Sequence, residues 1–194
     1  MTVKLLMSSM GFMHALFRLL IVLATARKRP KVSMFDTASM SMRALFTDID
    51  IAGHINNGMY FSLFDLGRFD LMVRAGVWDI MKKNKWSPVV QSETITFRKS
   101  VVFNQKFTQE TRILGMDDKC IYFEQRMVAN GEIYVQAVMA TRLLSKNGPV
   151  GNEEILAKAG LSVPDGLELP EWVARWREDT ALPGARRPAP HLWV

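Results

Sequence analysis

The stretch Asn57 to Ala75, NGMYFSLFDLGRFDLMVRA, constrains this chain more than any other. Its pattern predicts one long helix, and Gly76 stands where a helix readily ends in a left-handed cap. Apolar side chains fall on nearly every face: Phe61, Leu63, Phe64, Leu66, Phe69, Leu71, Met72 and Val73. Such a helix cannot lie on a surface and has to be wrapped. Four strand-like runs follow it, at about Val89 to Val101, Lys106 to Leu114, Lys119 to Ala129 and Ile133 to Leu144. Gly115 to Asp118 and the pair Asn130-Gly131 mark turns between the last three, and Asn-Gly is a strong hairpin signal. Ahead of the helix, Met40, Met42, Ala44 and Phe46 alternate with more polar residues as in a half-buried strand. The expected class is α+β, an antiparallel sheet curled around one central helix.

A chain of 194 residues suits one domain with extensions. The sequence divides into an N-terminal apolar helix and basic cluster (1–31), the main domain (32–150) and a C-terminal helical and proline-rich extension (151–194). In that extension Asn152 to Ala159 and Pro170 to Arg177 read as short helices, and the last dozen residues as loosely docked. A hydrophobic content of 48% with 23% charged residues disfavours a disordered or many-pass membrane protein. The net charge of +6 gathers partly at Arg27-Lys28-Arg29-Pro30-Lys31 and Arg186-Arg187. No zinc-ligand spacing or recognition-helix pattern accompanies those patches, so nucleic acid is not an expected partner. Cys120 is the single cysteine, which rules out an intramolecular disulfide and a cysteine-built zinc site; it reads as a strand-packing residue.

From Met10 to Ala26 the chain is apolar and helical in pattern, with His14 and Arg18 four apart on one face. Its uninterrupted apolar run, Leu19 to Ala26, spans about two turns, well short of the roughly 20 residues that cross a bilayer. Three readings stay open: a peripheral membrane anchor, a helix packed on the domain or its dimer partner, and a secretory signal. Positive charge directly after Ala26 disfavours export. A cytoplasmic protein, with membrane association through this helix, is the expectation.

Chemistry concentrates in Asp48-Ile-Asp50-Ile-Ala-Gly53-His54-Ile-Asn56-Asn57-Gly58-Met59-Tyr60, directly before the buried helix. A helix start offers unpaired N–H groups and the positive end of a macrodipole to a developing oxyanion. A carboxylate nearby can attack a carbonyl or take a proton from water. The run resembles the Asp-x-x-x-His-x-Asn-Asn signature of the 4-hydroxybenzoyl-CoA thioesterase-like group and of related acyl-carrier-protein thioesterases. The likeness extends over roughly Ser39 to Leu144. It implies a hot-dog fold, assembly as a homodimer or homotetramer, and hydrolysis of an acyl-CoA or acyl-carrier-protein thioester without metal or cofactor. By position the resemblance puts the catalytic aspartate on Asp50, with His54 and Asn57 beside it, and Asp48 as a weaker carboxylate. The acyl-carrier-protein enzymes carry an asparagine two residues after that aspartate, where this chain has Ala52.

Gly58, Met59, Tyr60, Asp65, Arg98 and Lys99 are the expected substrate-binding residues. Asp65 is the fallback carboxylate, since some hot-dog enzymes draw theirs from the central helix, and Glu93 is a secondary candidate. Lys82, Lys83, Lys85 and Arg142 are further basic groups available to a coenzyme phosphate. Phe61, Phe64, Phe69 and Met72 are candidates for lining an acyl tunnel, or core. Simpler roles stand beside these. Asn56 or Asn57 suffices as a helix cap, His54 as a loop-holding histidine, Asp50 as a loop-forming residue, and Asp65–Arg68 and Asp70–Arg74 as ion pairs. Two functions lead, a thioester hydrolase or a non-catalytic acyl-thioester or lipid-binding module at a membrane surface; a third, hydration or dehydration of an acyl thioester on the same fold, is disfavoured because no Asn-Pro-containing hydratase signature is present.

Overall fold

The structure is a computed structural model that describes residues 16–184 and 187–191. Residues 16–26 are helical (α1). Then come β1 (Ala38–Arg43), a 3-10 turn (Phe46–Asp48), α2 (Asn57–Arg74), α3 (Val77–Asn84), β2 (Ser87–Phe97), β3 (Lys106–Met116), β4 (Ile121–Ala129), β5 (Glu132–Ser145), β6 (Gly148–Val150), α4 (Asn152–Ala159) and α5 (Glu171–Asp179). The sheet is antiparallel in the order β1-β3-β4-β5-β2, with β6 added to β5. It curls around α2, which is the hot-dog arrangement.

The Asn130-Gly131 turn joins β4 to β5 with Ala129 opposite Glu132, and both turn residues have positive φ, 52° and 74°. Asparagine and glycine tolerate that backbone better than other residues, and the turn twists with the strands. β4 is buried on both faces along most of its length, and so is the middle of β5. The reason is that α2 covers the concave face, while α5 covers part of the convex one through Val173 and Trp176 against Cys120, Tyr122, Val138 and Ala140. Cys120 thus packs where expected, in the turn just before β4.

The core under α2 has two halves. Tyr60, Leu63 and Phe64 meet Phe107, Met127, Val135 and Met139. Leu71 and Met72 meet Ile113, Phe123 and Leu143, with Met81 of α3 and Ile155 of α4 closing the far side. Burying each such side chain contributes roughly 1.5–3 kcal/mol. Between the halves α2 touches the sheet through polar groups. The Gln109 and Gln125 amides donate to the Phe64 carbonyl at 3.2 and 2.8 Å, and Gln125 also donates to Thr111 Oγ1 at 2.8 Å. Gly67 makes this approach possible, because a Cβ there would lie 2.2 Å from Gln109 Nε2 and 2.6 Å from Thr111 Oγ1.

Some boundaries differ from the sequence pattern. β1 stops at Arg43 rather than reaching Phe46, because the Asp48 carboxylate accepts the Leu45 N–H at 2.8 Å and turns the chain. β2 starts earlier and ends at Phe97; Arg98 and Lys99 instead donate their N–H groups to Tyr134 O. α3 and β6 are absent from the sequence reading. Of the N-terminal helix, Met10 to Ala15 with His14 lies outside the described residues, as do 185–186 and 192–194 of the tail.

Gly67→Val should lower stability by roughly 1–3 kcal/mol through overpacking of the α2–sheet seam. Thermal denaturation checks this; an unchanged melting temperature would show that the seam yields.

Candidate functional site

The loop before α2 is folded on itself. Asp50 N donates to His54 O at 3.0 Å, Gly53 N to Asp50 O at 3.1 Å, and Ile49 bridges Ile55. This brings Asp50 Oδ2 to 3.5 Å from His54 Nδ1, with both side chains partly open to solvent. Asp50 Oδ1 accepts the Ala52 N–H at 2.9 Å, so one carboxylate oxygen is fixed by the loop and the other faces the imidazole. His54 Nδ1 also lies 3.3 Å from Ile55 O.

Asn56 is the cap of α2. Its side-chain oxygen accepts Gly58 N at 2.9 Å, and its carbonyl accepts Met59 N at 2.9 Å. Asn57 is the first helical residue, and its N–H has no hydrogen-bond partner among the described residues. An unpaired N–H at a helix head is suited to receive an oxyanion. The Gly58 and Met59 N–H groups, by contrast, are already engaged.

His54, Ile55, Asn57, Tyr60, Phe97, Arg98, Lys99 and Ser100 line one pocket of about 170 Å³. Five residues singled out in the sequence therefore converge: His54, Asn57, Tyr60, Arg98 and Lys99. Tyr60 is buried, stacked edge-on against Phe97 at 5.1 Å. Burial pushes its phenol above the usual value; a hydrogen bond with the Val101 backbone opposes this and the charge of Asp50 adds to it. Arg98 pairs with Glu132 at 3.0 Å, and Lys99 pairs with the same carboxylate. Met59 is half-buried against the core rather than in the pocket.

Asp65 sits elsewhere. Eight residues beyond Asn57, it is about 12 Å further along the helix, where it pairs with Arg68. Arg68 is buried, donates to Gln125 Oε1 at 2.8 Å and touches Met139. Across from it, burial pushes the Glu93 carboxyl up, while Arg68 opposes the shift and Asp65 adds to it. Both expected helical ion pairs are present; Asp70 pairs with Arg74 at 3.0 Å and also with Arg29 at 2.8 Å. Asp48, the weaker carboxylate, is fully buried and held by Arg18. Of the other basic groups, Lys82 pairs with Asp79 at 3.1 Å, and Arg142 has a buried Nε without a hydrogen-bond partner among the described residues.

A second space was not visible in the sequence. It is a cavity of about 280 Å³ along the C-terminal half of α2, with Asp65, Arg68, Phe69 and Met72 on one wall. Val90 of β2, Ile113 of β3, Phe123 of β4 and Leu156 of α4 are among the apolar residues on the others. Phe69 and Met72 thus line a cavity, whereas Phe64 is closed core and Phe61 is half-buried against it. α4 and the segment around Met34 complete the walls, and no periodicity in sequence announces that meeting.

Known proteins resemble this chain in sequence or in fold. Protein THEM6 of Xenopus laevis is 32% identical over 180 residues, covering 87% of this chain and 85% of that one. Protein THEM6 of Danio rerio is 33% identical over 133 residues, 68% of this chain; the match spans 66% of that relative's length. Among solved structures, the probable thioesterase YbaW of Escherichia coli superposes with a TM-score of 0.58 at 18% identity, covering 62% of this chain and 94% of that one. The BH1999 gentisyl-coenzyme A thioesterase does so with a TM-score of 0.56 at 15% identity, covering 62% and 99%. The sequence family described as the thioesterase-like superfamily matches residues 44–176, from the end of β1 through most of α5. With that match over more than half its length, the chain belongs to the thioesterase-like superfamily.

Proposed function

We propose that this protein hydrolyses acyl thioesters, with acyl-CoA as the substrate class and Asp50 as the group that drives attack. The observation that carries the reading is the Asp50–His54 pair beside a helix head whose first N–H is open, in a chain of a thioesterase family. In this mechanism the thioester oxygen lies at the Asn57 N–H. Asp50 takes a proton from a water that attacks the carbonyl carbon. The tetrahedral oxyanion is held at the helix head. Its collapse breaks the C–S bond and the sulfur leaves as the thiol with the proton from Asp50, giving a carboxylic acid and free thiol. His54 keeps the carboxylate aimed, and Arg98 and Lys99 at the pocket rim supply positive charge for coenzyme phosphates. A coenzyme A thioesterase among the structural neighbours supports that substrate class.

The apolar cavity beside Phe69 and Met72 is proposed as the acyl-chain channel. Within one chain it and the His54 pocket stand at opposite ends of α2. A homodimer formed through β2 relates them. Among the described residues one long edge of β2 is unpaired, and apolar Val89 and Phe97 are exposed along it; such an edge invites a further strand. Antiparallel pairing of two β2 strands would set the Phe97 end of one chain, with its His54 pocket, beside the Pro88 end of the other, with its cavity. A dimer rather than a tetramer built on sheet faces is favoured because α5 occupies part of the convex face.

A peripheral contact with a membrane surface is supported by a different observation. Phe17, Leu20 and Ile21 of α1 are 63%, 56% and 45% exposed. At spacings of three and four they share one outward face, and Arg27 and Lys28 follow directly, exposed. Among the described residues no helix is long and apolar enough to cross a membrane.

Three outcomes are expected. Purified protein should release free thiol from acyl-CoAs with an optimum at one chain length, and Asp50→Asn should reduce the rate at least roughly tenfold; wild-type turnover in that variant removes Asp50 from the chemistry. Light scattering in solution should give the mass of two chains, and a monomer would sink the β2 pairing. Cosedimentation with anionic vesicles should occur and be lost in Phe17→Glu/Leu20→Glu, whereas equal sedimentation of both proteins would count against the membrane face.

A further inference from the structure

The helix read in sequence as an anchor or a packing element is joined to the candidate catalytic loop by a buried ion pair. Arg18 Nη1 donates to both oxygens of Asp48, at 2.9 and 2.8 Å, and Nη2 donates to the Arg43 carbonyl at 3.3 Å. The Asp48 carboxylate is fully buried and the Arg18 side chain is 13% exposed. Val22 and Ala26, four and eight residues on, are buried on the same face of α1. With Nη1 spanning both carboxylate oxygens and Nη2 on the Arg43 carbonyl, the guanidinium is held by three acceptors at once.

Asp48 transmits that constraint in two directions. Its carboxylate accepts Leu45 N at 2.8 Å and holds the 3-10 turn. Its backbone carbonyl accepts Asn56 N at 2.8 Å, and Asn56 is the residue whose side chain caps α2. The path from α1 to the open Asn57 N–H is therefore Arg18, Asp48, Asn56, Asn57. Asp50 and His54 lie on the loop whose two ends, Asp48 and Asn56, are tied together by that same backbone bond.

We infer that Arg18 is a positioning residue for the reaction: the N-terminal helix, through Arg18 and Asp48, sets the geometry of the Asp50–His54 loop and of the α2 head. Removing α1 or its guanidinium then impairs turnover in free solution, with no membrane present. The inference rests on the hydrolase reading for its kinetic consequence, but its structural content can be measured without turnover.

The test compares full-length wild type with Arg18→Met, Arg18→Lys and Arg18→Ala, using a soluble acyl-CoA and no lipid. Arg18→Met should lower kcat roughly tenfold or more with KM within about twofold, because misaligned groups slow the chemical step more than binding. Arg18→Lys should recover part of the rate, and added guanidinium should restore Arg18→Ala in a saturable way. In the same samples, amide hydrogen exchange at Asp50, Asn56 and Met59 should accelerate in Arg18→Met, while amides of β4 stay protected as in wild type. Wild-type kcat and unchanged loop exchange in Arg18→Met would overturn the inference. Loss of protection in β4 as well would also overturn it, since Arg18 would then act on the whole fold. If wild type hydrolyses no acyl-CoA, the hydrolase reading fails, and the exchange pattern alone decides whether α1 holds the loop.

Discussion

The close approach of α2 to the sheet at Gly67 governs the rest of the molecule. A helix apolar on nearly every face has no built-in preference for which side meets the sheet, so packing alone leaves its rotation loosely set. The polar seam sets it. Gln109 and Gln125 reach the Phe64 carbonyl, and Gln125 also engages Thr111 and Arg68. These groups are buried and costly to leave unmade, so the helix is held in one phase along its axis. Everything placed by α2 inherits that phase: the capped head with its open N–H at one end, and the wall of the apolar cavity at the other.

Both ends of α2 are in turn tied to elements outside the curled sheet. At its head, α1 reaches the loop through Arg18 and Asp48. Further along, Arg29, just past α1, pairs with Asp70, and Arg74 joins it from within the helix. Each is a buried carboxylate met by arginine, the kind of pair whose breakage destabilises far more than its formation contributes. α4 closes the cavity, and α5 covers part of the other face of the sheet. The N-terminal helix is thus built onto the loop of the candidate site, and the C-terminal helices onto the cavity and the convex face of the sheet.

The legible parts of the fold were those with strong local signals. The central helix ends within one residue of its expected stop, α4 falls on Asn152–Ala159 as read, and the Asn130-Gly131 hairpin forms with the two positive φ angles such a turn requires. Where the reading slipped, a long-range contact had replaced a local preference. Phe46 continues the alternation of a strand but begins a turn, because the Asp48 side chain captures Leu45 N and lies beside an arginine 30 positions earlier. α3 and β6 were not read from the sequence at all. The cap was legible as one of two asparagines, but which one depended on the backbone leaving the loop.

For the site, the sequence put Asp50 and His54 four residues apart in one loop, and the family resemblance together with the available basic groups pointed to Asn57, Tyr60, Arg98 and Lys99, which line one pocket with His54. It could not separate Asp65 from that pocket, because a helical residue's distance from a loop is fixed only once the helix has a direction. Nor could it see that the Glu132 carboxylate of β5 meets Arg98 and Lys99, or that Arg18 belongs to the loop, since both depend on elements far apart in sequence. The sequence by itself determined a buried helix, its wrapping strands and a polar loop at its head, because periodicity, turn chemistry and capping are local. Only the tertiary structure decided which N–H stays open, where an apolar cavity remains, and that the N-terminal helix grips the loop, because those follow from side chains meeting across the fold.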